Sequence, residues 1–313
     1  MYTKINSIVL IALLLTCINT RANDQPIRII TNNWTSQVVL SKVTGELFKS
    51  LGYQVEYISS ATSDQWGALV YGAGHVQVEV WEGTMSDVFN RLVAEGSIVD
   101  AGTHDAKTRE DWWYPAYVED ICPGLPDWRA LKACSKLFST SGEGRGIYFA
   151  GPWEKPDEAR IRALDMGFNV KILANGDDLW VELKKANAIK KPIVLFNWTP
   201  NWVESRFEGA FVEFPVHARE CETDPEWGEN PNYLYDCGNP KGGWLKKAAW
   251  KGMEKTWNCA YRTLKNISFN NQQIASASAL VDVDKLSYEQ AVRTWLDQNK
   301  DVWVNWIPEG CNK

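Results

Sequence analysis

The sequence predicts an α/β protein: a mostly parallel sheet with helices on its faces. Three observations predict it. Short apolar or alternating strand patterns take turns with amphipathic helical patterns from residue 27 onward. The alternation comes in two runs, one on each side of a Pro/Trp-rich segment at 112–126. Tryptophans also stand just beyond several strand ends, the edge of the sheet where ligands bind in open α/β folds.

In chain order, Ile27–Thr31 is a strand, and Ser36–Ser50 has helical spacing at Val39, Val43 and Leu47, ending near Gly52. Tyr53–Ser59 alternates as a strand, Ser63–Tyr71 is helical and Val76–Val80 is a strand. Met85–Ala94 is a helix closed by Gly96, and Ser97–Ala101 is a further strand. Beyond the Pro/Trp-rich segment, Trp128–Leu137 is a helix and Gly146–Ala150 a strand entered from the turn-rich Ser141–Arg145. Pro156–Met166 is a helix whose early Asp157 and Glu158 suit its dipole. A short strand at Lys171–Leu173, a helix at Asp177–Ala188 and a strand at Pro192–Phe196 complete the second run. Glu220–Gly243, rich in Pro, Gly, Asn and acid, is bracketed by Cys221 and Cys237 and reads as a disulfide-closed hairpin or Ω-loop. A strand at Leu245–Trp250 and helices at Met253–Leu264, Asn271–Val281 and Ser287–Asn299 follow; lacking strand partners, these helices are expected to pack back on the first unit.

Residues 1–22 read as a signal peptide: Lys4 supplies a positive start, Ile8–Ile18 an apolar stretch and Thr20-Arg21-Ala22 a cleavage site. The expected location is the periplasm. Leu14-Leu15-Thr16-Cys17 departs from a lipoprotein box at Thr16, so lipid anchoring at Cys17 is not expected. The formal net charge is −6, and loss of Lys4 and Arg21 takes it two lower, to −8, which argues against nucleic acid and anionic membranes as partners. Of seven Cys, six follow the leader, an even number that suits disulfides in an oxidising compartment. Six Cys allow fifteen pairings. Proximity favours Cys122–Cys134 and Cys221–Cys237, leaving Cys259–Cys311.

Signals for catalysis are thin. The three His (75, 104, 217) have no metal-ligand spacing, and neither GxSxG nor a phosphate or dinucleotide loop is present. The chain does hold 17 Trp. Trp180, Trp250, Trp257 and Trp295 are assigned to packing. Trp34, Trp81, Trp153 and Trp198 share a position just past a strand, and Trp198-Thr-Pro-Asn-Trp202 closes an apolar strand at a Pro-bounded turn. Indoles converging on one cleft suit a methylated onium, which spreads its charge over methyl surfaces and has no N–H to donate. Each face contributes roughly 0.5–2 kcal/mol.

These residues resemble the substrate-binding proteins of ABC importers for glycine betaine, choline and related methylated osmolytes, over most of 27–306. Phe196-Asn-Trp198-Thr-Pro-Asn-Trp202 is similar to that family's Trp-Thr-Pro-x-Trp segment, Val80-Trp81 to its second cage tryptophan and Gly151-Pro152-Trp153 to its third. Trp34 matches a cage position of choline-binding relatives, and Trp112-Trp-Tyr-Pro-Ala-Tyr117 resembles the interlobe crossover, with Tyr117 a further contact. The resemblance implies a two-lobe periplasmic-binding-protein fold, each lobe a mixed sheet flanked by helices, with ligand in the interlobe cleft. Lobe I would comprise 23–115 and 216–313, carrying the insertion 220–243, and lobe II 116–215. It implies no catalysis, no required cofactor, a monomer, and a membrane permease of an ABC importer as partner. Backbone N–H groups at Glu154 and Lys155, opening a helix, would suit an anionic ligand end. Glu154 itself would either donate to an N-oxide oxygen or attract choline. In the insertion, Asp224, Glu226, Asn230 and Asp236 offer oxygens for a structural calcium ion. Glycine betaine, choline, trimethylamine N-oxide, carnitine and sulfonium analogues all meet these requirements. The alternative is a neutral ligand such as a sugar stacked on the same indoles, although the flanks Val80, Pro152 and Thr199 offer few of the hydrogen-bonding groups that sugars need.

Overall fold

The computed structural model describes residues 25–139 and 144–311. The expected leader, Cys17 included, and most of the turn at 141–145 lie outside the described residues. The elements in order are β1 (Ile27–Thr31), α1 (Thr35–Ser50), β2 (Val55–Ser59), α2 (Gln65–Tyr71), β3 (Val76–Trp81), α3 (Glu82–Ala94) and β4 (Ile98–Pro115). Next come α4 (Trp128–Ala133), β5 (Gly146–Ala150), α5 (Asp157–Ala163), β6 (Phe168–Ile172), α6 (Gly176–Ala188), β7 (Val194–Thr199) and β8 (Gly209–Phe211). The chain ends with α7 (Glu220–Thr223), β9 (Gly243–Trp250), α8 (Met253–Thr256), α9 (Asn258–Asn266), α10 (Asn271–Asp282), α11 (Tyr288–Gln298) and α12 (Lys300–Trp303).

The strands run β2-β1-β3-β9-β4-β7-β5-β6, with β8 beside β4. Each half repeats one plan: β1 lies parallel between β2 and β3, and β5 lies parallel between β6 and β7. The two antiparallel strands β9 and β4 join the halves. β4 changes partner within its length. Ile98 through Thr108 pair with β9, and Arg109 through Trp113 pair with β7. The 115/116 boundary read from sequence falls at the end of this same strand.

The sequence pattern ends the fourth strand at Ala101, whereas β4 continues to Pro115. Its middle alternates, with His104, Ala106 and Thr108 buried and Asp105 and Lys107 exposed. The buried members carry little apolar contrast, so the period of two is masked. A register shift between Asp100 and Thr103, at Gly102 with φ near 102°, also interrupts the pattern. The helix expected at Met253–Leu264 breaks into α8 and α9 at Trp257, whose indole is buried against His75 and Trp250. The helix expected at Trp128–Leu137 ends as α4 at Ala133 and tightens into a 3-10 turn at Ser135–Phe138.

The core is continuous across both halves. As expected, α10 and α11 return to pack on α1. Both start with reciprocal caps, Asn270 with Gln273 and Ser287 with Gln290. The three disulfides are Cys122–Cys134, Cys221–Cys237 and Cys259–Cys311, the pairing that proximity favours. The insertion forms no hairpin; its described residues hold only the single turn α7. Although the sequence grouped it with the first half, it leans on the second. Glu229 pairs with Arg129, Asn230 donates to the Ala163 carbonyl, and Asn239 binds Arg160 and Asp111. Arg160 and Asp111, fully buried 2.8 Å apart, form the ionic centre of that region.

Candidate functional site

A cavity opens between the two halves of the sheet, walled by Trp34, Trp81, Trp153 and Trp198, with Phe196 and Met85 completing its apolar lining. Strand ends place the four indoles. Trp34 follows β1 and precedes the first turn of α1, and Trp81 ends β3 where α3 begins. Trp198 is the penultimate residue of β7, and Trp153 lies in the irregular segment between β5 and α5. Three of the rings meet edge to face. Trp34 and Trp153 are 6.3 Å apart at 84°, and Trp153 and Trp198 are 5.2 Å apart at 79°. Perpendicular neighbours of this kind form the walls of a box rather than a stack. The two halves contribute two walls each.

Gly151 makes room for Trp153: a Cβ there would stand 2.1 Å from the indole. Contacts cross between the halves around the box. Trp153 Nε1 donates to Asn33 Oδ1 at 3.3 Å, Lys155 Nζ donates to the Gly83 carbonyl at 2.8 Å, and the Thr84 hydroxyl donates to Glu110 Oε1.

The polar groups of the box are carboxyls. Glu110, on β4 just past the partner change, lines the cavity beside Thr84. Its Oε1 lies 3.1 Å from Lys155 Nζ, with both side chains almost fully buried, while its Oε2 is buried without a hydrogen-bond partner among the described residues. Behind the first pair of walls sits Glu79, wholly buried on β3. Its Oε2 accepts from Trp34 Nε1 at 2.7 Å, Trp81 Nε1 at 3.0 Å and Ser36 Oγ at 3.2 Å. Burial pushes its carboxyl up to about 7, against the pull of those three donors. Below Glu79 on the same face of β3, Gln77 joins Asn32, Gln37 and Gln65 in a buried amide network, and its side-chain oxygen accepts from the Glu79 N–H. Satisfied networks of this kind fix geometry, because each member would be costly to leave unpaired.

A second cavity adjoins the box behind Trp34 and Trp198, and it too lies between the halves. Asp282, at the end of α10, accepts from Thr35 there at 2.7 Å and faces Asp177 of α6. Burial and the Asp177 charge push its carboxyl up to about 6.

The structure brings together Trp34, Trp81, Trp153 and Trp198, as the sequence proposed, but not the other two residues. Tyr117 turns away: its hydroxyl donates to the Lys191 carbonyl, and Lys190 lies over its ring. Glu154 is exposed and outside the lining. The helix expected to open at Glu154 and Lys155 begins only at Asp157, so their N–H groups form no helix start. The calcium expectation is corrected as well. Asp236 is buried and accepts the Asn230 N–H, Asn230 donates to Ala163, and Asp224 caps the Glu226 N–H. These oxygens serve the loop itself, and no group of three or more His, Cys, Asp or Glu among the described residues is placed to hold a metal.

Sequence reasoning missed Glu79 and Glu110. For Glu79 a signal existed: Val76-Gln-Val-Glu-Val-Trp81 sets Gln77, Glu79 and Trp81 on one face of a strand whose other face is all Val. An acid two residues before a proposed cage indole shares its face. Glu110 gave no such signal, because its strand was not recognised.

Residues 25–298 match the family described as the substrate-binding domain of ABC-type glycine betaine transport systems. The chain is 37% identical over 296 residues to the trimethylamine N-oxide-binding protein of Pelagibacter ubique (strain HTCC1062), covering 91% of this chain and 92% of that protein. Among solved structures, it superposes on the glycine betaine/L-proline-binding protein (ProX) from Borrelia burgdorferi with a TM-score of 0.72 at 18% identity, over 92% of this chain and 98% of that one. It superposes on an ABC-transporter choline-binding protein in complex with choline with a TM-score of 0.69 at 16% identity, over 91% and 94% of the two chains. At these identities the two structures speak for the two-lobe fold alone.

Proposed function

Because the chain belongs to the family of substrate-binding domains of ABC-type glycine betaine transport systems, and so is a binding protein rather than an enzyme, we propose that its four-indole box is an aromatic cage for a small methylated onium without a carboxylate. One observation carries this reading: perpendicular indoles enclose a cavity whose polar group is the acid Glu110, with a bare, buried oxygen. An onium meets the indole faces and the negative potential together. The hydroxyl of choline would donate to Glu110 Oε2. The carboxylate of glycine betaine would meet a like charge. Trimethylamine N-oxide is favoured further by the extended likeness to a protein named for binding it. A sugar is a poor fit, since beyond Thr84 and Glu110 the lining is indole, Phe196 and Met85, too few polar groups for a ring of hydroxyls.

The lobes divide where β4 changes partner, at Thr108–Arg109, and where β9 begins, at Gly243. The insertion goes with the second lobe. Ligand touches both lobes only when they are closed, so binding favours closure. The closed monomer hands its cargo to a membrane permease from the periplasmic side.

The test is calorimetric titration, with tryptophan fluorescence, against trimethylamine N-oxide, choline, glycine betaine and the uncharged choline isostere 3,3-dimethylbutanol. We expect micromolar or tighter binding of trimethylamine N-oxide or choline, weaker binding of glycine betaine and none of the isostere. Equal binding of the isostere, or no saturable response to any onium, overturns the proposal.

A further inference from the structure

We infer that Glu79 is a positioning residue that fixes the indoles of Trp34 and Trp81 and releases its proton when a cationic ligand enters the cage. The inference rests on the cage reading above and concerns a residue that need not touch the ligand.

The geometry argues the first part. Three donors converge on one carboxyl oxygen: both first-lobe indole N–H groups and the Ser36 hydroxyl. They come from separate places in the chain, the start of α1 and the end of β3. Neither ring can turn about its Cβ–Cγ bond without losing a bond to a buried carboxyl, a loss that nothing nearby makes good. The amide network of Gln77, Asn32, Gln37 and Gln65 holds the strand beneath in turn.

The second part follows from where the charge sits. Glu79 Oε1 is buried and has no hydrogen-bond partner among the described residues. Among the described residues, the surrounding elements bring no unpaired cation to it. On β9, Lys246 is paired with Asp100, and the buried Lys247 donates to the Ile267 carbonyl. α1 presents Ser36 and Gln37, and α2 presents Gln65. Across the cavity, Lys155 is held by Glu110 and by the Gly83 carbonyl. The carboxyl therefore sits near 7 in the free protein and is divided between its two forms at neutral pH. An onium resting against the same two indoles supplies the missing positive charge through a medium of low dielectric, which favours the ionised form. Once ionised, the carboxylate polarises both indole N–H bonds and makes the ring faces more negative, so each change supports the other. Linkage fixes the sign: ligand drives the proton off, and raising pH through 7 tightens binding of a cation.

The experiment titrates the mature protein with choline and with tetramethylammonium by calorimetry, in two buffers of different ionisation enthalpy, at pH 6, 7 and 8. Wild type should release a substantial fraction of one proton per ligand at pH 7. Its Kd should fall about fivefold from pH 6 to pH 8, the share of the tenfold effect of a one-unit pKa change that falls within that window. Glu79→Gln keeps an acceptor for the indoles and should remove both the proton release and the pH slope, with circular dichroism reporting that the fold is kept. Glu79→Asp, too short to reach both indoles, should keep a proton linkage but bind more weakly. Unchanged proton release and slope in Glu79→Gln overturn the inference while leaving the cage intact. A wild type that binds neither cation overturns it too, and if trimethylamine N-oxide is also ignored, the cage reading falls with it.

Discussion

Replacing Trp153 by Ala separates the cage from the core better than any other single change. Trp153 is half-buried and stands on an irregular segment, whereas Trp198 is 8% exposed and also packs on Trp180. Truncating Trp198 would open a core cavity worth about 3–5 kcal/mol of stability and blur any binding result. Truncating Trp153 removes one aromatic face, worth roughly 0.5–2 kcal/mol to an onium. It also removes the hydrogen bond from Nε1 to Asn33 that joins the lobes, worth about 0.5–1.5 kcal/mol. Together these weaken binding by about 1–3.5 kcal/mol, or roughly 5- to 300-fold in Kd at 1.4 kcal/mol per tenfold. Calorimetric titration with trimethylamine N-oxide and choline reads this, with thermal unfolding of the unliganded protein run alongside. Trp153→Phe should recover part of the loss, keeping a face but not the N–H. A change in Kd below twofold in the Ala variant, from a folded protein, would refute Trp153 as a wall of the site.

Three further outcomes are expected. Gly151→Ala would drive a Cβ into the Trp153 ring, so onium affinity should fall about tenfold by calorimetry, the low end of an overpacking cost of roughly 1–3 kcal/mol. Arg160→Ala leaves Asp111 buried without its cation and should cost about 3–5 kcal/mol in urea unfolding, whereas replacing both by apolar residues should recover most of it. Asp282 is raised from 3.8 to about 6 in the folded state, so the unfolded chain gives up its proton first as pH rises. Stability is lost as pH climbs between those values. Asp282→Asn, which still accepts from Thr35, should therefore leave stability at pH 3.5 unchanged and raise it at pH 7 by on the order of 2 kcal/mol, read by urea titration.

The parts of the fold legible in the sequence are those whose periodicity has strong contrast. β1 and β7 are largely apolar, β3 alternates Val with Gln, Glu and Trp, and α1, α10 and α11 carry apolar stripes, the last two opened by side-chain caps. β4 is the longest strand and the element that joins the lobes, yet its central stretch buries His104, Ala106 and Thr108 and turns Asp105 and Lys107 to solvent. Polarity does not alternate there even though burial does. The insertion is legible as a loop, but nothing local to Glu229, Asn230 or Asn239 announces Arg129, Ala163 and Arg160 as partners. Tyr117 and Glu154 lie outside the cavity lining for a related reason: adjacency to a crossover or to a lining indole says nothing about which way a side chain leaves the backbone.

The same limit explains why the indoles were found and the carboxyls were not. A tryptophan past a strand end is unusual enough to count, and four of them converge because strand ends converge in an α/β sheet. An acid inside a strand is legible only if the strand is known to be buried on both faces. The division of the cage then matters for function. Trp34 and Trp81 come from one half of the sheet and Trp153 and Trp198 from the other, so in the proposed cage an open protein would offer an onium two faces, about 1–4 kcal/mol, and closure would add the other two. On that proposal the second pair would favour the closed state over the open one by roughly 5- to 700-fold. A ligand that fills only one pair of walls would bind and leave the lobes apart. The edge-to-face contact of Trp34 with Trp153, which no single lobe can make, is the place where affinity becomes closure.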